Sequence, residues 1–264
     1  MKKLPLILFA TLLLFACSEA PEETVTIAEN SGWATSHLKG MVQSFEETHY
    51  TPDSTGQIGA MDSCCIEVNV FDDMGYLASY SERDREGTVT RKTTFERLEG
   101  GKIKSAVRTE NGKQVWTRTI VHDENGNTLY GEDRDSSGQV TYYYSDIEEN
   151  EIGQALKGKM HSADSTFMGI WSRKYTDGMR TGSGWVDSTG IQINDYTGEL
   201  NEDGWLAKMT IVKMGEDSTL TTSVETYTYD SIDDMGNWTQ RTLYNEEGKA
   251  TEVEKRTYTY FEKE

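Results

Sequence analysis

The segment that decides the fold runs from Val224 to Phe261 and reads VETYTYDSIDDMGNWTQRTLYNEEGKATEVEKRTYTYF. Three runs rich in Thr, Tyr, Val and Trp are separated by two acidic turns that close on Gly236 and Gly248. Alternation places Tyr227 and Tyr229 on one face of a strand, and a glycine in each turn permits the positive φ that a tight hairpin requires. The segment therefore predicts three consecutive antiparallel strands.

The same pattern repeats through most of the chain. The spacing of most glycines, about 11 to 14 residues, fits one strand plus one turn. Three wider gaps predict further turns at 148–153, at 162–164 and near Asp230, and the tetrapeptide DDMG occurs twice, at 72–75 and 233–236. We predict an all-β fold: a long antiparallel β-meander of repeated hairpins, twisted and curved or partly closed into a barrel-like sheet, since a flat sheet of this width leaves edges exposed. The turn glycines are Gly75, Gly87, Gly101, Gly112, Gly126, Gly138, Gly178, Gly190, Gly204, Gly215, Gly236 and Gly248.

Residues 38–50 fit two structures. Leu38, Met41, Val42 and Phe45 have helical spacing, with Ser36 as a candidate N-cap, whereas every second residue from 42 to 50 fits a strand. Pattern alone leaves both open.

Several turn segments carry a family resemblance. HDENGNTLY at 122–130, DSSGQVTY at 135–142 and DDMGNWTQRTLYNEEGK at 233–249 resemble YD-type, RHS-like repeats, and in particular the short cell-envelope lipoproteins of Bacteroidetes that contain them. The resemblance covers roughly residues 38–264 and implies that residues 40–50 form a strand. It implies no catalytic residues.

The N-terminus has the features of a lipoprotein signal. Lys2 and Lys3 precede an apolar run, and the run ends in LFAC at 14–17, which resembles a lipobox. That resemblance implies a thioether-linked diacylglycerol and an acylated amine on Cys17. We predict a signal peptide at 1–16, a flexible acidic tether at 17–35 and one β-repeat domain at 36–264. The expected location is the outer membrane, lipid-anchored on its periplasmic or cell-surface side.

The composition restricts the partners. The net charge of −19 argues against binding nucleic acid. Apart from Cys17, the cysteines are Cys64 and Cys65, which are adjacent. They are either joined in a vicinal disulfide, unpaired, or bridged to another molecule.

No motif points to catalysis, a cofactor or a metal. The four histidines are scattered, and none has a metal-ligand spacing. Asp133–Gly138 begins like a calcium loop, but Tyr144 occupies the position where a bidentate glutamate is required. We therefore predict a protein that is not an enzyme.

Two further sets of residues are candidate sites. One set could form a stacking face for a ligand, although aromatic residues also pair across strands without any ligand: Trp171, Trp185, Trp205 and Trp238. The other set follows an Asp in short Asp-Ser turns that resemble the O-glycosylation acceptors of exported Bacteroidetes proteins: Ser54, Ser165, Ser188, Ser218 and Ser231.

These observations favour a non-catalytic envelope lipoprotein that serves as a structural or protein-interaction module, with an envelope protein as its partner. The alternative is a surface protein that binds a glycan or small ligand with its aromatic face. A hydrolase with an unrecognised site, gathered around His122 or His161, is the third hypothesis.

Overall fold

The computed structural model describes residues 28–62 and 65–262. In this part of the chain, one short helix, α1, precedes seventeen β-strands. The bounds are α1 Gly32–Thr35, β1 Val42–Pro52, β2 Ile58–Met61, β3 Ile66–Phe71, β4 Leu77–Arg83, β5 Val89–Arg97, β6 Ile103–Glu110, β7 Lys113–His122, β8 Thr128–Asp135, β9 Val140–Glu149, β10 Ala155–Ser162, β11 Phe167–Thr176, β12 Met179–Asp187, β13 Gln192–Leu200, β14 Leu206–Met214, β15 Leu220–Ile232, β16 Trp238–Tyr244 and β17 Ala250–Tyr260. The prediction of a strand at 40–50 is confirmed by β1.

The meander closes into a barrel through its first strand. Strands β3 to β17 pair in chain order, and β1 pairs antiparallel with both ends of that series. Phe45 lies opposite Tyr258 of β17, and Ser44 lies opposite Val70 of β3. The short strand β2 pairs with the end of β1 and lies outside the ring of sixteen. Closure satisfies the edges that an open meander would leave unpaired, so the predicted fold class is confirmed.

One turn design recurs between the strands. In the first DDMG turn, Gly75 N–H donates to the Asp72 carbonyl at 3.0 Å, and the Asp72 carboxylate accepts from the amides of Met74 and Tyr76 at 3.1 and 2.8 Å. Gly75 has a φ of 82°. This geometry is a type I turn followed by a residue in the left-handed region, which glycine adopts without steric cost.

Two predicted turns are present and one is not. Turns at Asn150–Gly153 and Ser162–Ser165 connect β9 to β10 and β10 to β11. The turn predicted near Asp230 is wrong, because β15 continues through that position with a register irregularity between Tyr229 and Ser231. The wide gap has another cause: Ser218, rather than Gly215, holds the positive φ in the preceding turn.

Residues 28–40 form an N-terminal plug across one end of the barrel. Ser31, not Ser36, caps the start of α1, and Ser36 ends the helix. Trp33 is fully buried, and its indole N–H donates to the Val42 carbonyl at 2.7 Å. We therefore correct the tether predicted at 17–35, because residues 28–35 pack into the barrel; residues 17–27 and the signal peptide lie outside the described residues.

The two ends of the barrel differ, because turns at one end contact the N-terminal plug. Asn30 binds Gly100, His37 contacts the Asp177 carbonyl, and Lys39 exchanges backbone hydrogen bonds with the Asn237 side chain. We call this the plugged end. The opposite end, the free end, carries the intervening turns, and at five of its turn glycines no atom lies within 4 Å of an added Cβ: Gly87, Gly112, Gly138, Gly190 and Gly248. No described helix has the length and apolar character needed to cross a membrane.

Candidate ligand-binding lumen

Half of the barrel interior is filled by a network of charged and aromatic side chains. Arg256 pairs with Glu47, and Arg241 pairs with Glu254. Both guanidinium groups lie over the Trp238 ring, at 4.6 Å for Arg241 and 4.0 Å for Arg256. The two cations are thus neutralised by carboxylates and stacked on an aromatic face, an arrangement that packs strands β1, β16 and β17 together.

His49 belongs to this network. Its Nδ1 lies 2.6 Å from the Glu252 carboxylate, and that hydrogen bond and the contact with Glu47 raise the pKa of His49 to about 10. Burial acts against ionisation of Glu47, yet Arg256 and His49 outweigh it and lower the Glu47 pKa to about 2. The imidazole is therefore a protonated partner of the carboxylates. His49 also has the ligand geometry for a metal ion with Glu47 and Glu67, or with Glu252 and Glu254, but a metal there would displace this proton and face two arginines.

The other half of the interior is open. A cavity of about 770 Å³, the lumen cavity, lies against strands β3 to β12, and Asn30, Gly32, Thr35 and Ser36 of the N-terminal plug close its floor. Its volume is within the range of small-molecule sites. Apolar side chains from both walls line it, including Phe71, Leu77, Ile103, Ile120, Ile147 and Met160.

Two tryptophans form an aromatic wall in the lumen cavity. Trp171 of β11 lies directly opposite Trp185 of β12, and both line the cavity. The Trp171 ring lies against Gly158, where an added Cβ would come within 2.6 Å of the indole. Because Gly158 has no side chain, the Trp171 indole can lie directly against the sheet. The Trp171 indole nitrogen is buried and has no hydrogen-bond partner among the described residues.

Positive charge predominates in the lumen cavity. Five cationic side chains line it, against the single carboxylate of Glu149. Lys102 pairs with Glu149 at 2.7 Å, and Arg118 pairs with Asp133 at 2.7 Å. The remaining three, which we call the arginine floor, form no ion pair with any residue the structure describes: Arg97, Arg173 and Arg180.

The arginine floor has only partial electrostatic compensation, from Asp72 near Arg97 and from Tyr175 near Arg180. Burial, and then repulsion from Arg173, lowers the pKa of Arg180, although a guanidinium remains protonated at any physiological pH. Burial also lowers the pKa of Arg97, whose side chain donates to the carbonyls of Gly101 and Leu77 at 2.6 and 3.1 Å while its Nε has no partner among the described residues. A bound anion would provide the missing charge.

Along the barrel axis, the cationic side chains lie nearest the plugged end and the two indole rings lie further from it. Arg97 is the last residue of β5 and Arg180 is the second residue of β12, so both lie next to turns of the plugged end. Trp171 and Trp185 lie further along β11 and β12, five or six residues from that end. Arg173 lies on β11 between Trp171 and the plugged end, and its guanidinium is 5.0 Å from the Trp171 ring centroid. A molecule in the cavity meets cations at the floor and indole rings above them.

The structure separates the four predicted stacking residues. Trp171 and Trp185 line the cavity, whereas Trp205 and Trp238 are each 4% exposed and pack against Tyr229 with ring centroids 4.7 and 5.9 Å away. Those two belong to the packed core. The arginine floor was not predicted, although WSRKY at 171–175 carries a readable signal, because Trp171, Arg173 and Tyr175 alternate on the inward face.

The predicted modification sites lie away from the cavity. Ser54, Ser165, Ser188 and Ser218 are in turns of the free end, whereas Ser231 lies on β15. Cys65 is disulfide-bonded. Cys64, its predicted vicinal partner, and Cys17 lie outside the described residues.

One group in the cavity has the residue types of a hydrolase. Thr128 Oγ1 lies 3.3 Å from His122 Nδ1 and 2.6 Å from Glu149 Oε1, and His122 Nε2 contacts the Ile103 carbonyl at 3.0 Å. In a catalytic triad, the carboxylate orients the imidazole and the imidazole activates the hydroxyl. Here the Glu149 carboxylate accepts a hydrogen bond from the Thr128 hydroxyl itself, and the Ile103 carbonyl contacts the other nitrogen of the His122 ring. The group therefore links the ends of neighbouring strands.

The barrel has structural relatives. A porin-like protein from Bacteroides uniformis is 12% identical, with a TM-score of 0.51, and the match covers 83% of this chain and 98% of that one. A porin-like protein from Bacteroides vulgatus is 10% identical with a TM-score of 0.30 over 83% and 98%, and a DUF1329 family protein from Desulfovibrio piger is 11% identical with a TM-score of 0.26 over 83% and 86%. No protein-family model matches the sequence, and no curated protein does.

The fold is a closed barrel of sixteen antiparallel strands, similar to that of the Bacteroides uniformis protein. This finding overturns the predicted resemblance to YD-type, RHS-like repeat proteins. The short motifs that carried that resemblance are tight-turn sequences, which any chain of successive hairpins requires.

Proposed function

We propose that this protein is a non-catalytic lipoprotein of the cell envelope whose barrel binds a small organic anion in its lumen. The observation that carries the proposal is the arginine floor beside the Trp171–Trp185 pair, in a cavity of about 770 Å³. Arg97 and Arg173 are half-buried and Arg180 is exposed, and none of the three has an ion-pair partner among the described residues, so their guanidinium groups are available to an anion that enters the cavity. They stand out in a protein whose net charge is −19.

The outer wall supports a barrel surrounded by water. Six ion pairs lie on the outer wall, four between neighbouring strands and two across an intervening strand. Charges on a lipid-facing barrel wall would cost about 2–4 kcal/mol each near the membrane centre. The pairs are Arg83–Glu46, Lys104–Glu96, Lys157–Glu148, Lys159–Asp146, Lys174–Asp195 and Lys208–Glu199. We infer that the lipid on Cys17 holds the protein at the outer membrane and that the barrel does not cross the membrane.

The N-terminal plug orients the barrel on its anchor. The described chain begins at Ala28, beside the plugged end. A chain of the length of residues 17–27 reaches at most about 40 Å when it is fully extended. From the position of this link, we infer that the plugged end faces the membrane and that the free end points away from it. This orientation leaves the free end accessible to a ligand on either the periplasmic or the cell-surface side.

The arginine floor and the two indole rings favour a small-ligand-binding protein over a purely structural or protein-interaction module. A neutral glycan would use the two indole rings but would leave the arginine floor only partly compensated. An organic anion with an apolar or planar body uses both features.

The test is a fluorescence titration of residues 18–264, produced without the lipid so that no detergent is needed, with dodecanoate as the probe. We expect saturable quenching or enhancement of tryptophan emission, and binding weaker by at least about tenfold in Arg173→Gln and in Arg180→Gln, because a charge-assisted hydrogen bond is lost. Lys208→Gln, which removes a positive charge from the outer wall, is the matched control and should bind like the wild type. Absence of saturable binding, or equal losses in all three variants, would contradict the proposal.

A further inference from the structure

We infer that the ligand is an amphipathic anion and that it lies head-down in the lumen, with its anionic head at the plugged end and its apolar body along the Trp171–Trp185 wall. This inference rests on the proposed lumen-binding function and deepens it by assigning the ligand class and its direction. It uses three features: the position of the cations, the position of the apolar surface, and the difference between the two ends.

The head subsite is at the plugged end. Arg180 is the second residue of β12, and burial, followed by repulsion from the nearby Arg173, lowers its pKa. Arg97 lines the same end from β5, although two of its guanidinium nitrogens donate to the Gly101 and Leu77 carbonyls. A carboxylate or phosphate that accepts from Arg173 and Arg180 relieves their mutual repulsion.

The body subsite lies above the head subsite. Trp171 lies two residues beyond Arg173 on β11 and pairs with Trp185 of β12, and Ile120 and Met160 line the same cavity. From Arg180 to the end of β12, the strand rises about 23 Å, which a barrel tilt shortens along the axis. An apolar body of roughly ten to twelve carbon atoms fits this depth.

The free end carries a cation that allows the direction to be tested. Arg108 is two residues from the free-end limit of β6, and its guanidinium lies 5.1 Å from the Trp116 ring centroid. Arg118, which lines the cavity, lies over the same ring at 5.0 Å. Arg108 thus faces inward, and a ligand bound in the opposite direction would place its head near Arg108.

The experiment compares dodecanoate with its uncharged methyl ester by isothermal titration of residues 18–264. The wild type should prefer the acid by about tenfold or more. Arg173→Gln and Arg180→Gln should each remove most of that preference while leaving ester binding within about twofold, since the charge of the ligand and the charge of the side chain interact directly. Arg108→Gln should keep the preference, and Trp185→Leu should weaken both ligands alike.

The outcomes separate this inference from the proposed function. The head-down arrangement would be overturned if Arg108→Gln lost the preference for the acid while Arg173→Gln and Arg180→Gln kept it. Binding in the lumen would still stand in that case. Equal affinities of the wild type for acid and ester would overturn the anionic head. If neither ligand binds, the proposed function itself fails. Dodecyl phosphate and dodecanoate, compared in the wild type, distinguish a phosphate head from a carboxylate head.

Discussion

Trp33 in the N-terminal plug is seated on Gly75, the glycine of the first DDMG turn. The Trp33 amide donates to the Gly75 carbonyl at 3.1 Å, and a Cβ on residue 75 would overlap the indole ring. Because Trp33 is completely buried and also binds Val42 of the closing strand, this contact connects the plug, the turn and barrel closure.

Gly75→Ala should therefore destabilise the barrel more than an ordinary turn substitution. The left-handed φ alone costs about 1 kcal/mol for alanine, and the clash with Trp33 should add about 2 kcal/mol or more. Gly87→Ala is the matched control, since Gly87 has a similar φ of 85° but no neighbour within 4 Å. Chemical denaturation of both variants measures the difference, and equal losses of unfolding free energy would show that the contact with Trp33 contributes nothing.

The second DDMG turn holds the other end of the plug. The Asn237 side chain accepts from the Lys39 amide and donates to the Lys39 carbonyl and to the Tyr260 hydroxyl, each at 2.8 Å. Asn237→Ala should cost about 2–4 kcal/mol, because it removes three hydrogen bonds made by a side chain that is 2% exposed.

Asn127→Ala is the control for that substitution. Asn127 has the same position after its turn glycine but is exposed, and its amide binds only the Asp123 carboxylate among the described residues. It should cost under about 1 kcal/mol. Unfolding curves for the two variants that coincide would argue against a role for Asn237 in fixing the plug.

Two turns place serine where the others place glycine, and these turns should be open to stabilisation. Ser165 and Ser218 have φ values of 68° and 62°. Ser165→Gly and Ser218→Gly should each raise the free energy of unfolding by about 0.5–1 kcal/mol, since glycine adopts this conformation without strain. The reverse change, Gly190→Ser, should lower it. Thermal melts that show no gain for either glycine variant would refute this account of the turns.

The stability of the closing strands should fall in mild alkali. The pKa of His49 is raised from 6.5 to about 10 by Glu252 and Glu47, so its charge stabilises the fold fully below pH 6.5, and this contribution is lost as the pH rises toward 10. Denaturation between pH 6 and pH 10 should show this decline in the wild type and a flatter profile in His49→Gln. His161→Gln, which removes a histidine elsewhere, should keep the wild-type slope; a wild-type slope in His49→Gln would contradict the assignment.

The hairpins were predictable because their chemistry is local. An Asp or Asn that accepts from the two following amides and a glycine at positive φ are visible in the sequence of each turn, as at Asp72 and Gly75. The two turns with a serine at positive φ were harder to predict from the sequence. In one of them, Ser218 takes the conformation that the sequence pattern assigned to Gly215.

Closure and the site were not predictable in the same way, since they depend on contacts between distant segments. The pairing of Phe45 with Tyr258 spans almost the whole chain. Trp185 and Trp238 have similar local sequences for a strand, yet one lines a cavity and the other lies between two arginines in the packed half. Which half of the barrel is filled decides which aromatic residues can meet a ligand.

The most direct test of lumen binding is a crystal structure of residues 18–264 with dodecanoate. We expect density for one acyl chain in the lumen cavity, with its carboxylate within hydrogen-bonding distance of Arg173 or Arg180 and its chain against Trp171 and Trp185. Density only on the outer wall, or an empty lumen at a dodecanoate concentration that saturates the titration, would contradict lumen binding.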